Sequence, residues 1–232
     1  MKMGNKKFQI IVMDPPYGFS DKLRMSSVKR GADANYQTLS NQDIVSLPIK
    51  NIVDPQGAIL ALWVPSSLLP LGLDLMKVYG FQFKQTYVWV KIKKQPLKDL
   101  ATVIKPFTPI TLLNLKSYIK QVGNIVKNAS VNAVLGFGMG RLFRQTHEIC
   151  LIGTSNNQIY KQLANKSQRS VSFGANLKHS AKPEHLQDSL EIMFPGSQKI
   201  ELFARRLRPD WTCLGNEVCG GEDIRDSLAK LK

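Results

Sequence analysis

Asp14-Pro15-Pro16-Tyr17 follows directly on the apolar run Ile10-Ile11-Val12-Met13. Two successive prolines cannot continue a strand ladder or enter a helix interior, so the backbone must leave its sheet there. An acid and an aromatic are thereby held at a sheet rim, where polar side chains are useful only to a bound ligand. The chemistry that suits them concerns a planar amino group on a heteroaromatic ring. The lone pair of such a nitrogen is delocalised into the ring. A carboxylate accepting one N–H bond and a carbonyl of the Pro15-Pro16 turn accepting the other favour a tetrahedral, nucleophilic nitrogen. Tyr17 offers a face on which the ring can stack. No strong base is required, only acceptors placed where positive charge develops.

The runs that must position this tetrapeptide are short, apolar and β-branched. Residues 8–13 (FQIIVM), 57–64 (GAILALWV), 86–91 (TYVWVK), 148–154 (EICLIGT) and 199–204 (KIELFA) read as strands. Several are almost continuously apolar, the pattern of strands buried on both faces of a mainly parallel sheet. Between them lie helical stretches. SNQDIVSL opens with Ser40 and, three residues on, Asp43, a capping-box spacing. PSSLLPLGLDLMKVYGF ends at Gly80, suited to the position after a helix cap, and KPEHLQDSLEIMF has Pro183 near its start and halts before Pro195-Gly196. The alternation predicts an α/β layered domain over residues 1–232, with a mainly parallel sheet and helices on both faces.

Two segments stand outside this scheme. Residues 18–35 are polar, basic and glycine-bearing, a long loop beside the tetrapeptide. Residues 93–135 read as a helical insertion, in which Leu112, Leu115, Ile119, Val122 and Val126 form an amphipathic stripe. That stripe suits packing first, and a partner surface or basic face second.

Composition narrows the class. The 232 residues include 32 lysines and arginines against 17 acids, a net charge of +15, which suits a polyanionic partner. No run reaches the ~18–20 apolar residues of a membrane span and the start lacks a signal-peptide core, so an intracellular protein with no membrane partner is expected. Cys150, Cys213 and Cys219 show no CxxC or zinc-like spacing, so reduced thiols and no metal are expected. Gly138-Met139-Gly140 reads as a tight turn, and His147-Glu148 as a structural pair.

The ordered set DPPYGF, YQTLSNQDI, LALWVP, TYVWVK, GMGRLFRQTHEICLIG, HSAKPE, KIELFARRLRPDW and GNE resembles the MTA-70-like adenine N6-methyltransferases, whose members include small bacterial and phage proteins. The resemblance covers nearly the whole chain apart from residues 93–135. It implies a Rossmann-like methyltransferase fold, with S-adenosyl-L-methionine donating a methyl group to the N6 amino group of adenine. On matching positions it implies Asp14, Pro15, Pro16 and Tyr17 as the catalytic tetrapeptide. Lys182 would hold the methionine end of the cofactor, and Arg205, Asn216 and Glu217 its ribose, with Asp14 also facing the cofactor. Without the resemblance, Asn216 after Gly215 reads as a turn; for Arg205-Arg206 a solvated pair is the lesser alternative.

The match has departures. Tyr17 stands where the resembled mRNA enzymes carry tryptophan, and tyrosine is common in DNA amino-methyltransferases. Thirteen residues precede Asp14, so the cofactor's adenine pocket is expected from residues 14–18 or from the chain near Asn216. An adenine in a duplex must be flipped out before its amino group can react. Lys22, Arg24, Lys29 and Arg30 in the basic loop are expected to grip flanking phosphates, with Arg169 and Phe173 lining the other side of the pocket. DNA is the expected substrate, because the compact chain looks like the small bacterial and phage members, and RNA is the alternative. Two further readings stay open: a non-catalytic nucleic-acid-binding subunit, and methylation of the cytosine amino group. Family resemblance also implies a homo- or heterodimer, for which the 112–126 stripe is the candidate surface.

Overall fold

Strands β1 (Ile10–Met13) and β2 (Ile59–Val64) are buried at every residue, as the apolar runs require of strands covered on both faces. A computed structural model of the chain describes residues 6–18, 38–93, 134–138, 142–175 and 182–231. Five more strands follow: β3 (Gln82–Ile92), β4 (His147–Thr154), β5 (Val171–Ala175), β6 (Lys199–Leu202) and β7 (Trp211–Leu214). The strand order is β5-β3-β4-β2-β1-β6-β7. β1 pairs in parallel with β2 and β6, and β6 in parallel with β7, whereas β4 runs antiparallel to β2. This is the mainly parallel α/β sheet of a Rossmann-like methyltransferase fold.

Two compact units make up the chain. The first comprises Met1–Val88, Glu148–Ser170 and Glu184–Lys232, and the second Trp89–His147 and Val171–Pro183. In the first, Ile11 and Met13 of β1, Leu60 and Leu62 of β2, and Ile200 and Leu202 of β6 share a core with residues of three helices. These are Ile44 of α1 (Asn41–Val45), Leu75 and Met76 of α2 (Leu69–Val78), and Ile224 and Leu228 of α4 (Ile224–Ala229). Helix α3 (His185–Met193) buries Leu186 and Leu190 and reaches Glu201 on the opposite sheet face. In the second unit the Trp89 indole donates to the Gly174 carbonyl at 3.0 Å, and the Lys91 ammonium lies 5.4 Å from the Trp89 ring centre.

Local signals explain the helix ends. Ser40 Oγ accepts from the Asp43 N–H at 3.1 Å while Asp43 accepts from the Ser40 N–H at 3.2 Å, a complete capping box despite the short acid. Gly80, at φ +82°, follows the cap of α2, where a side chain would be strained. Pro183 differs from its expected place: the cap of α3 is Glu184, so the proline precedes the helix instead of opening it. Strands β5 and β7 were not evident from sequence. VSFGA lies in a polar stretch and WTCL is four residues long, so neither carries an extended apolar run. Among the described residues no helix is long and apolar enough to cross a membrane.

Candidate active site at the switch point of the sheet

The chain leaves β1 for β2 on one side and later returns through β6 on the other, with β7 beyond it. Neighbouring parallel strands whose connections depart in opposite directions open a crevice beyond their carboxyl ends, where open α/β sheets bind ligands. Asp14 begins the segment leaving β1, and Phe203 the one leaving β6, at the same level, since Met13 pairs with Leu202.

At the β1 end the tetrapeptide is a fixed turn. The Tyr17 N–H donates to the Pro15 carbonyl at 2.9 Å, and the Leu39 N–H to the Pro16 carbonyl at 3.0 Å. Each proline carbonyl keeps a second lone pair. Asp14 is half-buried and already engaged in an interaction. Tyr17 is placed otherwise than a stacking platform requires: its side chain belongs to the core, 4% exposed, and its hydroxyl donates to the Trp63 carbonyl at 3.0 Å. Burial, with Asp14 beside it, pushes the Tyr17 phenol well above its usual value, so the group stays neutral. Tyr17 ties the turn to the end of β2.

The β6 end is strained and tightly packed. Phe203 has φ +62°, an uncommon backbone state for an aromatic residue. The Ala204 N–H donates to the Leu214 carbonyl at 2.9 Å, prolonging the pairing with β7. A Cβ on Gly215 would lie 2.4 Å from the Ala204 carbonyl oxygen, so only glycine permits this approach. The chain then places the exposed Asn216 and Glu217 over the strand end, and Glu217 pairs with Arg205 at 3.4 Å.

Asp14, Arg205, Asn216 and Glu217 thus lie at the carboxyl ends of three consecutive parallel strands. Lys182 is half-buried and partnered, and belongs with Phe173, which is 62% exposed on β5, to the second unit. Arg169 is exposed in the first unit and donates to the Ser167 carbonyl at 2.8 Å. Lys22, Arg24, Lys29, Arg30 and the 112–126 stripe lie outside the described residues.

Three residues were not singled out by sequence. Glu201, on the penultimate position of β6, accepts from Gln187 Nε2 of α3 at 3.3 Å. Burial raises its carboxyl above the ordinary range, Gln187 and Arg206 work against that rise, and Asp14 adds to it. Gln187 is buried, and its Oε1 has no hydrogen-bond partner. The signal in sequence was a glutamate in the middle of the short strand KIEL, a residue type rarely buried without a reason. Arg208 is the third. It donates to Glu191 at 2.8 Å, Glu184 at 2.9 Å and Asp188 at 2.6 Å, tying α3 to the segment after β6.

The donor set fits an adenosyl cofactor. A carboxylate and an amide at 216–217 can bind ribose hydroxyls, and the glycine approach at 215 lets backbone line the strand end. The site defines a nucleotide-cofactor α/β protein with an acid at its switch point. The MT-A70 family model matches residues 8–135 and 118–217, and the chain belongs to that family. S-adenosylmethionine is the methyl donor of MT-A70 methyltransferases. The chain is 24% identical over 216 residues to an N(6)-adenosine-methyltransferase MT-A70-like protein of Drosophila melanogaster, covering 92% of this chain and 27% of the relative. It is 24% identical over 217 residues to the human N(6)-adenosine-methyltransferase catalytic subunit METTL3, covering 92% and 29%. With the human N(6)-adenine-specific methyltransferase METTL4 the identity is 27% over 221 residues, covering 92% and 38%. The chain therefore spans well under half the length of these relatives.

Proposed function

We propose that this chain transfers a methyl group from S-adenosylmethionine to the N6 amino group of adenine in nucleic acid, with DNA as the substrate. The observation that carries the reading is Asp14 at the end of β1, one strand from Arg205 after β6 and two from the Asn216-Glu217 loop after β7. Asn216 and Glu217 bind the ribose hydroxyls and Arg205 orients Glu217 for that contact. The cofactor supplies an electrophilic methyl group. Asp14 accepts one N–H of the adenine amino group, and a free lone pair on the Pro15 or Pro16 carbonyl accepts the other. These acceptors turn the nitrogen's lone pair out of conjugation and stabilise the charge that forms on it. Asp14 is also the acceptor within reach for the proton that the methylated nitrogen sheds.

Tyrosine at position 17, as in DNA amino-methyltransferases, supports DNA. RNA is the second reading, favoured by the adenosine-methyltransferase names of the fly and human relatives. A net charge of +15 suits either polymer. The test offers single-stranded DNA, duplex DNA and RNA with methyl-labelled cofactor, followed by digestion to nucleosides and mass spectrometry. Methyl-deoxyadenosine that disappears in Asp14→Ala supports the DNA reading. Methyl-adenosine moves the protein to RNA, and methyl-cytidine products overturn the adenine assignment. Cofactor binding without any product points to a missing partner subunit, for which the 112–126 stripe is the surface to mutate. No cofactor binding at all points to a non-catalytic subunit.

A further inference from the structure

The central strands carry a second acid that the proposed chemistry leaves unused. Val12 pairs with Glu201, and side chains alternate along strands, so Val12, Asp14 and Glu201 fall on one sheet face. Glu201 is thus set on the strand beside β1, just below Asp14, and the two carboxyls interact. Its surroundings compensate its burial only in part. Helix α3 contributes Gln187, with Glu184 before its first turn; β7 contributes Cys213; the segment after β6 contributes Arg206. Lys199, two residues back on β6, shares the face. Gln187 Oε1, fully buried, is left without a partner. A neutral Glu201 can satisfy that oxygen by donating its O–H to a rotated Gln187 amide, whereas a charged Glu201 needs the amide N–H and a nearby cation. The site therefore holds two arrangements that differ by one proton.

We propose that Glu201 is a positioning residue that makes the site selective for a cationic cofactor, losing its proton when the sulfonium form binds and regaining it when only the neutral thioether product is left. The inference rests on the cofactor reading given above. Both ligands carry the same ammonium, carboxylate and adenosine, so the methyl group and the positive charge it gives the sulfur are what distinguish them. A desolvated acid pair stabilises that charge and offers nothing equivalent to the thioether. The proton leaves to solvent on cofactor binding and returns from solvent after transfer. Product release is thereby assisted by the same group that favours cofactor entry.

The test is calorimetric titration of the folded chain with S-adenosylmethionine and with S-adenosylhomocysteine, between about pH 5 and 7.5, in buffers of different ionisation enthalpy. Expected for the wild type is preference for the sulfonium ligand, with proton release that the thioether does not cause. In Glu201→Gln, which keeps the shape and the Gln187 contact, the preference should fall about tenfold and the difference in proton release vanish. An unchanged ratio in Glu201→Gln, with the same fold by circular dichroism, overturns the proposal. So does equal proton release with both ligands in the wild type. If the wild type binds neither ligand, the cofactor reading itself fails, and Glu201 loses its role with it.

Discussion

At the scale of single residues, the tetrapeptide divides its work between chemistry and anchoring. Asp14 is the proposed acceptor for the adenine amino group, so Asp14→Asn should lower kcat by about a hundredfold or more, measured by label incorporation. Tyr17 is an anchor in this structure, with its hydroxyl on the Trp63 carbonyl inside the core. Tyr17→Phe removes that donor and should cost about 1 kcal/mol in denaturant unfolding. Product formation by Tyr17→Phe should persist, since the ring that fills the core is kept. Glu201 gives a pH signature with a definite sign. Its folded-state carboxyl is raised above the unfolded value by burial, so the folded protein binds the proton more tightly. Stability held at low pH is then lost as pH rises through the raised value. Glu201→Gln should match the wild type in acid and be the more stable protein at neutral pH, which thermal melts from about pH 4 to 8 would show. A wild type that is the more stable at neutral pH would contradict the assignment.

At the scale of elements, what could be read in the sequence followed the strength of the local pattern. β1 and β2 are apolar at every position, so their existence and burial were plain. The exit from the sheet after Met13 was equally plain, because two successive prolines cannot continue the ladder. β5 and β7 were missed because their residues are short and partly polar; pairing with neighbours, not intrinsic pattern, makes them strands. Asn216-Glu217 read locally as a turn, and only the approach of Gly215 to Ala204 shows why the turn sits over a strand end. Gly215→Ala should force backbone apart, costing about 1–3 kcal/mol and weakening cofactor binding together with stability. Glu201 and Arg208 were hidden for a different reason. Their partners on α3 lie 14 residues or more away in sequence, so no local spacing shows them. Arg208 gathers two carboxylates of α3 and that of its cap residue Glu184, and its contact holds the Glu191 carboxyl below the usual range. A depressed acid contributes stability that is present above its unfolded pKa and fades as pH falls. Arg208→Ala should therefore destabilise most at neutral pH, by about 1–3 kcal/mol, with the gap to wild type closing in acid.

At the scale of the whole molecule, the excess of 32 basic over 17 acidic residues has to be reconciled with where those charges act. Several arginines are consumed internally. Arg208 serves α3, Arg225 pairs with Asp223 at 2.8 Å, and Arg205 with Glu217. These do not contribute to phosphate binding while so engaged. The cations of the 18–35 stretch follow the Asp14–Tyr17 turn directly in sequence, and Lys22, Arg24, Lys29 and Arg30 are proposed to grip phosphates flanking a flipped adenine. Each phosphate contact releases a counterion, so its loss should flatten the dependence of affinity on salt as well as weaken binding. Arg24→Ala with Arg30→Ala should reduce the slope of log affinity against log salt by about 1–2, measured by fluorescence anisotropy on a labelled single-stranded oligonucleotide. The double variant should bind S-adenosylmethionine as the wild type does, because the strand-end residues are untouched. An unchanged slope would remove the loop from substrate binding and shift the search to cations elsewhere on the molecule. A lost cofactor affinity would instead mean that this stretch completes the cofactor site.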